Sequence, residues 1–382
     1  MDAASARALS LRLLPGLLAM AQRKGWAPPR RPTPQELGQF QILVALLIVT
    51  AKPNPTQVAR DNIPHREPSI YATLRSLDKQ MDNYENKELL DLAREQIPME
   101  RIRAEATALQ QSDSPLACEE DALAQVLVQW FKHEYFKWTD PIKCPRCGGQ
   151  TRASGMVPPT PYERDGGAGR VELHMCTGEN GACDGSFRFP RFNDLKYLMR
   201  TRMGRCGEWA NLYTLFLRAV GLRARYVWNK EDHVWNEYFS PAAGRWIHTD
   251  SCEAARDQPL LYDRGWGKKM SYVFAFSVDG ASDVSRGYVQ NSNEMLQRRH
   301  DAPEPALAEE FAKITAARRR NRLASDLAQL EQEDKTEREW LAASDERANA
   351  PEKVEPARES GTQEWKEARG EAGAGAGPAA NQ

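Results

Sequence analysis

The sequence carries almost no excess of one charge sign: 52 Lys and Arg stand against 53 Asp and Glu, a net charge of -1. No global field therefore draws the chain to nucleic acid or to anionic lipid. An apolar run of membrane length is also missing. The run Ile42-Leu-Val-Ala-Leu-Leu-Ile-Val49 is closed by Lys52 and Pro53, whereas a bilayer core needs about 20 residues; it reads as a buried helix or strand. Arg7 and Arg12 precede a second apolar stretch, Leu13 to Met20, but Pro15-Gly16 interrupts it. Residues 1–68 therefore read as an untargeted, partly disordered arm rather than a signal segment. Cysteine is sparse, with seven residues in the chain, four of them grouped as metal ligands are. That excludes a disulfide scaffold and argues for a reducing compartment.

What is present centres on Gly204-Arg-Cys206-Gly-Glu-Trp209. From Trp209 the apolar residues Leu212, Tyr213, Phe216, Leu217 and Val220 fall on one helical face, and Gly221 ends the run. Cys206 is thus placed at a helix N-terminus, where free N–H groups and the macrodipole favour a thiolate. Arg223–Trp228, His233–Phe239 and Arg245–Asp250 read as three strands. Alternation puts His233, Trp235 and Glu237 on one face of the second, and Trp246, His248 and Asp250 on one face of the third. If these strands pair against the helix, Cys206, His233 and Asp250 converge as nucleophile, base and orienting carboxylate. His248 is an alternative base if His233 points away. Such a triad supports acyl transfer at an amide. Cys252, lacking a base of its own, reads as buried.

Cys144-Pro-Arg-Cys147-Gly-Gly is a zinc knuckle by spacing: two thiolates reach one tetrahedral ion and the glycines turn the backbone beneath it. Its second half, Cys176 to Cys183, holds six intervening residues, more than the roughly two to four that such motifs usually carry. A four-cysteine Zn(II) site is expected, with His174 as the substitute ligand.

Residues 69–140 read as helical, with a helix from about Glu119 to Phe136, and 141–190 as the zinc lobe. Residues 191–292 read as the catalytic core, and 293–349 as a charged helical extension with the i, i+4 pairs Glu331/Lys335 and Asp334/Arg338. The run Arg318-Arg-Arg320 reads as a solvated face. Residues 350–382, rich in Gly and Ala, read as a disordered tail.

Five blocks in order resemble the cytoplasmic peptide:N-glycanases of the transglutaminase-like superfamily. They are Phe189–Asp194, Gly204–Trp209, Arg225–Trp235, Asp250–Glu253 and Lys268–Phe276. Glu359-Ser-Gly-Thr-Gln-Glu-Trp365 resembles the filamentous-fungal members. The resemblance implies an α+β fold with a transglutaminase-like (papain-like) cysteine-hydrolase core, a zinc lobe and helical flanks. It implies an amidase that cleaves the β-aspartylglucosaminyl bond of misfolded N-glycoproteins in the cytoplasm and nucleus, in endoplasmic-reticulum-associated degradation. It further implies Trp138 as an oxyanion donor and Arg225, Trp235, Glu237 and Trp246 as glycan contacts. Its implied partners are unfolded N-glycoprotein, a proteasome-shuttling ubiquitin receptor and an ER-extraction AAA ATPase, around a monomer that binds neither nucleic acid nor membrane. The alternatives are a catalytically inactive scaffold of the same fold, or a transglutaminase or thiol protease using the same triad.

Overall fold

The structure, a computed structural model, describes residues 33, 69–178, 183–348, 355–367, 369 and 371–373. The arm expected over 1–68, with its apolar run, lies outside the described residues apart from Thr33. Among the described residues no helix is long and apolar enough to cross a membrane.

The helical segment opens with α1 (Ile70–Gln80), where Ser69 Oγ accepts from the Ala72 N–H. Then come a 3₁₀ turn, α2 (Lys87–Gln96), capped by Asn86, and α3 (Met99–Gln110). Helix α4 (Glu119–Trp130) carries three acidic residues in its first turn, which complement the helix dipole. It runs on into a π turn, Phe131–Tyr135, and strand β1 (Lys137–Trp138). The three-stranded antiparallel sheet of the cysteine lobe follows: β2 (Thr151–Val157), β3 (Val171–Cys176) and β4 (Ser186–Pro190), with the short α5 (Pro161–Asp165) between β2 and β3.

Helix α6 (Leu195–Thr201) and strand β5 (Met203–Gly204) lead into the central helix α7 (Cys206–Ala219). Phe131 from the π turn wedges against this helix, its ring centroid 5.1 Å from Tyr213, 5.6 Å from Trp209 and 5.5 Å from Phe216. The strands behind α7 are β6 (Ala224–Asn229), β7 (His233–Ser240), β8 (Arg245–Asp250), β9 (Ala255–Arg256), β10 (Val273–Ser277) and β11 (Gly280–Asp283). They form one antiparallel sheet in the order β11-β10-β6-β7-β8-β9. The three strands read from the sequence are therefore adjacent, in the register that puts Glu237 opposite His248.

Both faces of this sheet are buried, which fits the near-absence of polar alternation in β10. Tyr226, Val234, Tyr238, Ile247, Phe274 and Phe276 join the core around α7. Val227, Trp235, Val273 and Ala275 join a second core with Tyr262, Trp266 and Tyr288. Leu261–Gly265, a π turn, supplies Tyr262 to this second layer.

Beyond the sheet, α8 (Ser292–Leu296) is followed by α9 (Glu304–Arg319), which buries Leu307, Phe311 and Ile314, and by α10 (Ala324–Ala342), with α11 (Ser344–Ala348) after it. Asp334 does not pair with Arg338 as expected; it accepts from Arg319 of α9 at 2.6 and 2.9 Å, because α9 and α10 share a face. The Arg318 run is likewise not a solvated face: Arg318 reaches Asp78 and Asp82 of the first helical turns. The disordered tail expected over 350–382 is corrected for its described residues, the remainder lying outside them. Residues 355–367, with the short α12 (Gln363–Glu367), together with Arg369 and Glu371, pack on the core, and both Arg358 and Glu371 are fully buried. The physical reason is buried charge pairing, which a low-complexity reading does not weigh.

Candidate active site

The turn before α7 is built for close approach. A side chain at Gly204 would meet Glu208 Cβ at 2.3 Å. The Glu208 carboxylate closes that turn by accepting from the Arg205 N–H at 3.0 Å, and Arg191 holds it with a two-nitrogen fork at 2.7 and 3.0 Å. Strand β1 runs parallel to β5, so Trp138 lies opposite Gly204. The Thr139 N–H donates to the Gly204 carbonyl at 2.9 Å. These contacts hold Cys206 half-buried at the first turn of α7.

The imidazole and carboxylate approach from the opposite face of the sheet. Residues Val234, Asn236 and Tyr238 of β7 face α7, and Asn236 Nδ2 donates to Thr214 Oγ1 at 2.7 Å. His233 faces the other way, against Trp235, Tyr262 and Trp266, with ring centroids 5.7, 5.0 and 4.9 Å away. Thiol and imidazole meet because His233 begins β7 and the helix start projects past the sheet's end. There the His233 ring lies beside the Cys206 thiol, close enough that each shifts the titration of the other.

Behind the ring, His233 Nε2 donates to Asp250 Oδ2 at 2.8 Å, leaving Nδ1 without another partner and available to the thiol side. Asp250 is fully buried and accepts two further bonds, from the Cys252 N–H to Oδ1 at 2.8 Å and from the Tyr262 hydroxyl to Oδ2 at 2.9 Å. The Gln258 N–H donates to His248 Nδ1 at 3.2 Å, so His248 Nε2 carries the proton and donates to Tyr262 at 2.8 Å. Burial pushes His248 down to about 4, so it stays neutral. His248 is therefore part of the support behind Asp250 and not an alternative base.

The electrostatics favour a thiolate and an imidazolium. Burial by itself would raise the Cys206 thiol, but the neighbouring His233 ring and the charge of Arg358 outweigh it, and the thiol titrates below its ordinary range. Burial would depress His233, yet the Asp250 charge and hydrogen bond hold it above its ordinary value. Cys252, buried beside Asp250, is pushed far up, which fits a structural thiol. Trp138 Nε1 is buried and has no hydrogen-bond partner, a donor held next to Gly204 with no protein acceptor.

The four residues expected to touch a glycan lie elsewhere. Arg225 is buried with its fork on Glu337 of α10, its Nη1 3.5 Å from Glu237, and its guanidinium 4.0 Å above Trp246. Tyr288 donates to Glu237 at 2.7 Å. Trp235 has no exposed surface and packs 4.2 Å from Tyr262. Arg225, Trp235 and Glu237 are all buried, Arg225 against Glu337 of α10, Trp235 against Tyr262 and Tyr288, and Glu237 under the Tyr288 hydroxyl, so none is open to a sugar. Trp246, half-buried, spends its ring on Arg225 and Phe239. Tyr262, Trp266 and Arg358 are the neighbours of the triad that sequence reasoning missed; the Lys268 block, just after Trp266, and the Glu359 block, just after Arg358, flagged their regions.

In the cysteine lobe, Cys144 Sγ lies 3.7 Å from Cys183 Sγ and Cys147 Sγ 3.5 Å from Cys176 Sγ. All four sulfurs lie within 4.8 Å of one another, so this set could hold a metal ion. The Cys176 N–H donates to the Gly185 carbonyl at 2.8 Å, which ties together the two ends of the long second spacing. His174, 3.4 Å from Glu172, is outside the group.

Two family descriptions match: the transglutaminase-like superfamily over residues 158–251, and the Rad4 transglutaminase-like domain over 223–342. The peptide-N(4)-(N-acetyl-beta-glucosaminyl)asparagine amidase of Yarrowia lipolytica is 41% identical over 308 residues, 80% of this chain and 85% of that protein. The Saccharomyces cerevisiae protein of the same name is 40% identical over 270 residues, 66% of this chain and 71% of the relative. The rat one is 42% identical over 247 residues, 63% of this chain and 37% of its own length. With a transglutaminase-like α+β core and that degree of identity across most of its length, this chain belongs to the peptide-N(4)-(N-acetyl-beta-glucosaminyl)asparagine amidase family.

Proposed function

We propose that this chain hydrolyses the amide bond between an asparagine side chain and the first N-acetylglucosamine of an N-glycan. The observation that carries the chemistry is the buried His233–Asp250 hydrogen bond with the Cys206 thiol beside the same ring, its titration lowered by it. The Cys206 thiolate attacks the amide carbonyl, and the oxyanion forms where the unpaired Trp138 indole N–H and the first amides of α7 can donate to it. His233 gives its proton to the leaving nitrogen, the C–N bond breaks and the glycan leaves as a glycosylamine. His233, now neutral, deprotonates a water that attacks the thioester; the thiol is restored and aspartate replaces asparagine. Resemblance and membership of this family support misfolded glycoprotein as the substrate, cytoplasm and nucleus as the site of action, and a ubiquitin receptor and AAA ATPase as partners.

The test is a comparison of substrates at equal concentration. A denatured high-mannose glycoprotein is expected to release its glycan and gain aspartate at the glycosylation site, while a plain peptide and an amine acceptor remain unreacted. Peptide cleavage or amine incorporation without glycan release would make the chain a protease or transglutaminase, and no turnover at all would make it a scaffold.

We infer further that Cys144, Cys147, Cys176 and Cys183 hold one structural Zn(II). A tetrahedral Zn–S distance of about 2.3 Å spaces its sulfurs at roughly 3.8 Å, close to the two separations above. Four protein ligands close the coordination sphere and leave no position for substrate. Structural zinc contributes about 10 kcal/mol or more to a small lobe. Cys183→Ser, or a strong chelator, is expected to remove one zinc per chain by metal analysis and to unfold the β2–β4 lobe, read as loss of amide-exchange protection there. Protection that survives metal loss would refute this role.

A further inference from the structure

The C-terminal segment is fastened at points beside Asp250, Trp138 and His233. The Glu359 and Ser360 amides donate to the Glu253 carboxylate at 2.7 and 3.3 Å, just past Asp250. The Thr362 N–H donates to Asp140, two residues beyond Trp138, at 3.1 Å. Arg369 pairs with Asp232, the residue before His233. Glu371, fully buried, binds Lys268 at 2.5 Å and also takes the Arg358 guanidinium. Gly361 turns the chain at φ +92°, and Trp365 meets the Trp138 ring edge-on at 5.7 Å.

Arg358 is the centre of this arrangement. Its guanidinium lies 5.4 Å from Trp138, 4.5 Å from Trp266 and 4.4 Å from Trp365, and no part of it is exposed. Trp266 in turn packs on His233 at 4.9 Å. The fit is incomplete in one respect. Arg358 Nη2, Trp138 Nε1 and Trp266 Nε1 are all buried donors with no hydrogen-bond partner. Donors facing donors cannot satisfy one another, and leaving them unpaired costs free energy. The groove floor is therefore built for a ligand that brings acceptors, such as carbonyl and hydroxyl oxygens, and the segment fills it without supplying them.

We propose that residues 355–367, with Arg369 and Glu371, are an autoinhibitory strap that occupies the substrate groove, with Arg358 in the slot beside Cys206 and His233. An unfolded glycosylated chain, extended and rich in acceptors, displaces it; a polypeptide without such groups does not. The substrate named here rests on the amidase reading, but the strap is tested without it.

The test uses the full chain, wild type against Arg369→Glu, which sets two carboxylates against each other at the strap's outer end, and Arg358→Ala. The first readout is the rate of Cys206 alkylation by iodoacetamide, mapped by peptide mass. The second is kcat/KM on denatured glycoprotein. Arg369→Glu is expected to alkylate about fivefold faster, the shift that loss of one such pair brings, and kcat/KM to rise in proportion. Raising the salt should bring wild type toward the variant. Arg358→Ala, which opens the slot but removes a positive charge near the thiolate, should also alkylate faster. Rates equal to or below wild type in both variants overturn the strap, and a drop in kcat/KM would make the tail part of the working site instead. Faster alkylation with no glycan release from any form leaves the strap standing and refutes the amidase.

Discussion

Cys206→Ala is expected to lower glycan release from a denatured glycoprotein by about 10⁶-fold, the scale of losing a triad nucleophile, while far-UV dichroism and the melting temperature stay near wild type. The side chain is half-buried at the rim of the groove, so truncation leaves little void. No other thiol can take over. Cys252 is buried, its thiol pushed far up, and its backbone is committed to Asp250. The measurement is chromatographic release of free glycan, with the two proteins run in parallel. Residual activity within a hundredfold of wild type would mean that Cys206 is not the nucleophile.

Asp250→Asn is expected to cost about 10⁴-fold in kcat, the scale found when a triad carboxylate becomes an amide. The geometry explains the size. Oδ2 accepts from His233 and Tyr262, and Oδ1 from the Cys252 N–H. An amide NH₂ at either position turns toward a group that also donates, so the ring must flip its tautomer or the network must open. The pH profile gives the sharper check. In wild type Asp250 holds His233 above its ordinary value, and His233 in turn holds the Cys206 thiol below its own. Both shifts favour the thiolate–imidazolium pair over the neutral one. Without the carboxylate, burial is left to depress His233, the imidazolium is lost at lower pH, and Cys206 rises. The acid limb of iodoacetamide reactivity should move to higher pH in Asp250→Asn. An unmoved limb would show that Asp250 does not act through the ring.

Much of this site was legible locally. The helix after Gly204 could be read because its apolar period of 3.6 is a property of neighbouring residues, and the three strands because alternation and turns are likewise short-range. Even the four-cysteine cluster, with its long second spacing, was readable as cysteine types near glycines. The glycan contacts were misplaced for a physical reason. Arg225, Glu237 and Trp246 look like a sugar platform on an open strand, but α10 brings Glu337 onto Arg225, across more than a hundred residues of sequence. No strand-level pattern announces which face a later helix will cover. The same holds for His248, whose role follows from the Tyr262 hydroxyl and the Gln258 N–H rather than from its own strand.

The sequence alone determined the elements and the chemical types they carry: a cysteine at a helix start, a histidine opening one strand, an aspartate closing the next, and four clustered thiols. Tertiary structure alone decided that the helix and the imidazole, packed on opposite faces of one sheet, meet at its end. It also decided that residues 355–367 return to bury Arg358 against Trp266 and Trp365, beside them. Periodicity is written in adjacent residues, whereas the desolvation and pairing of distant charges depend on the whole chain being folded.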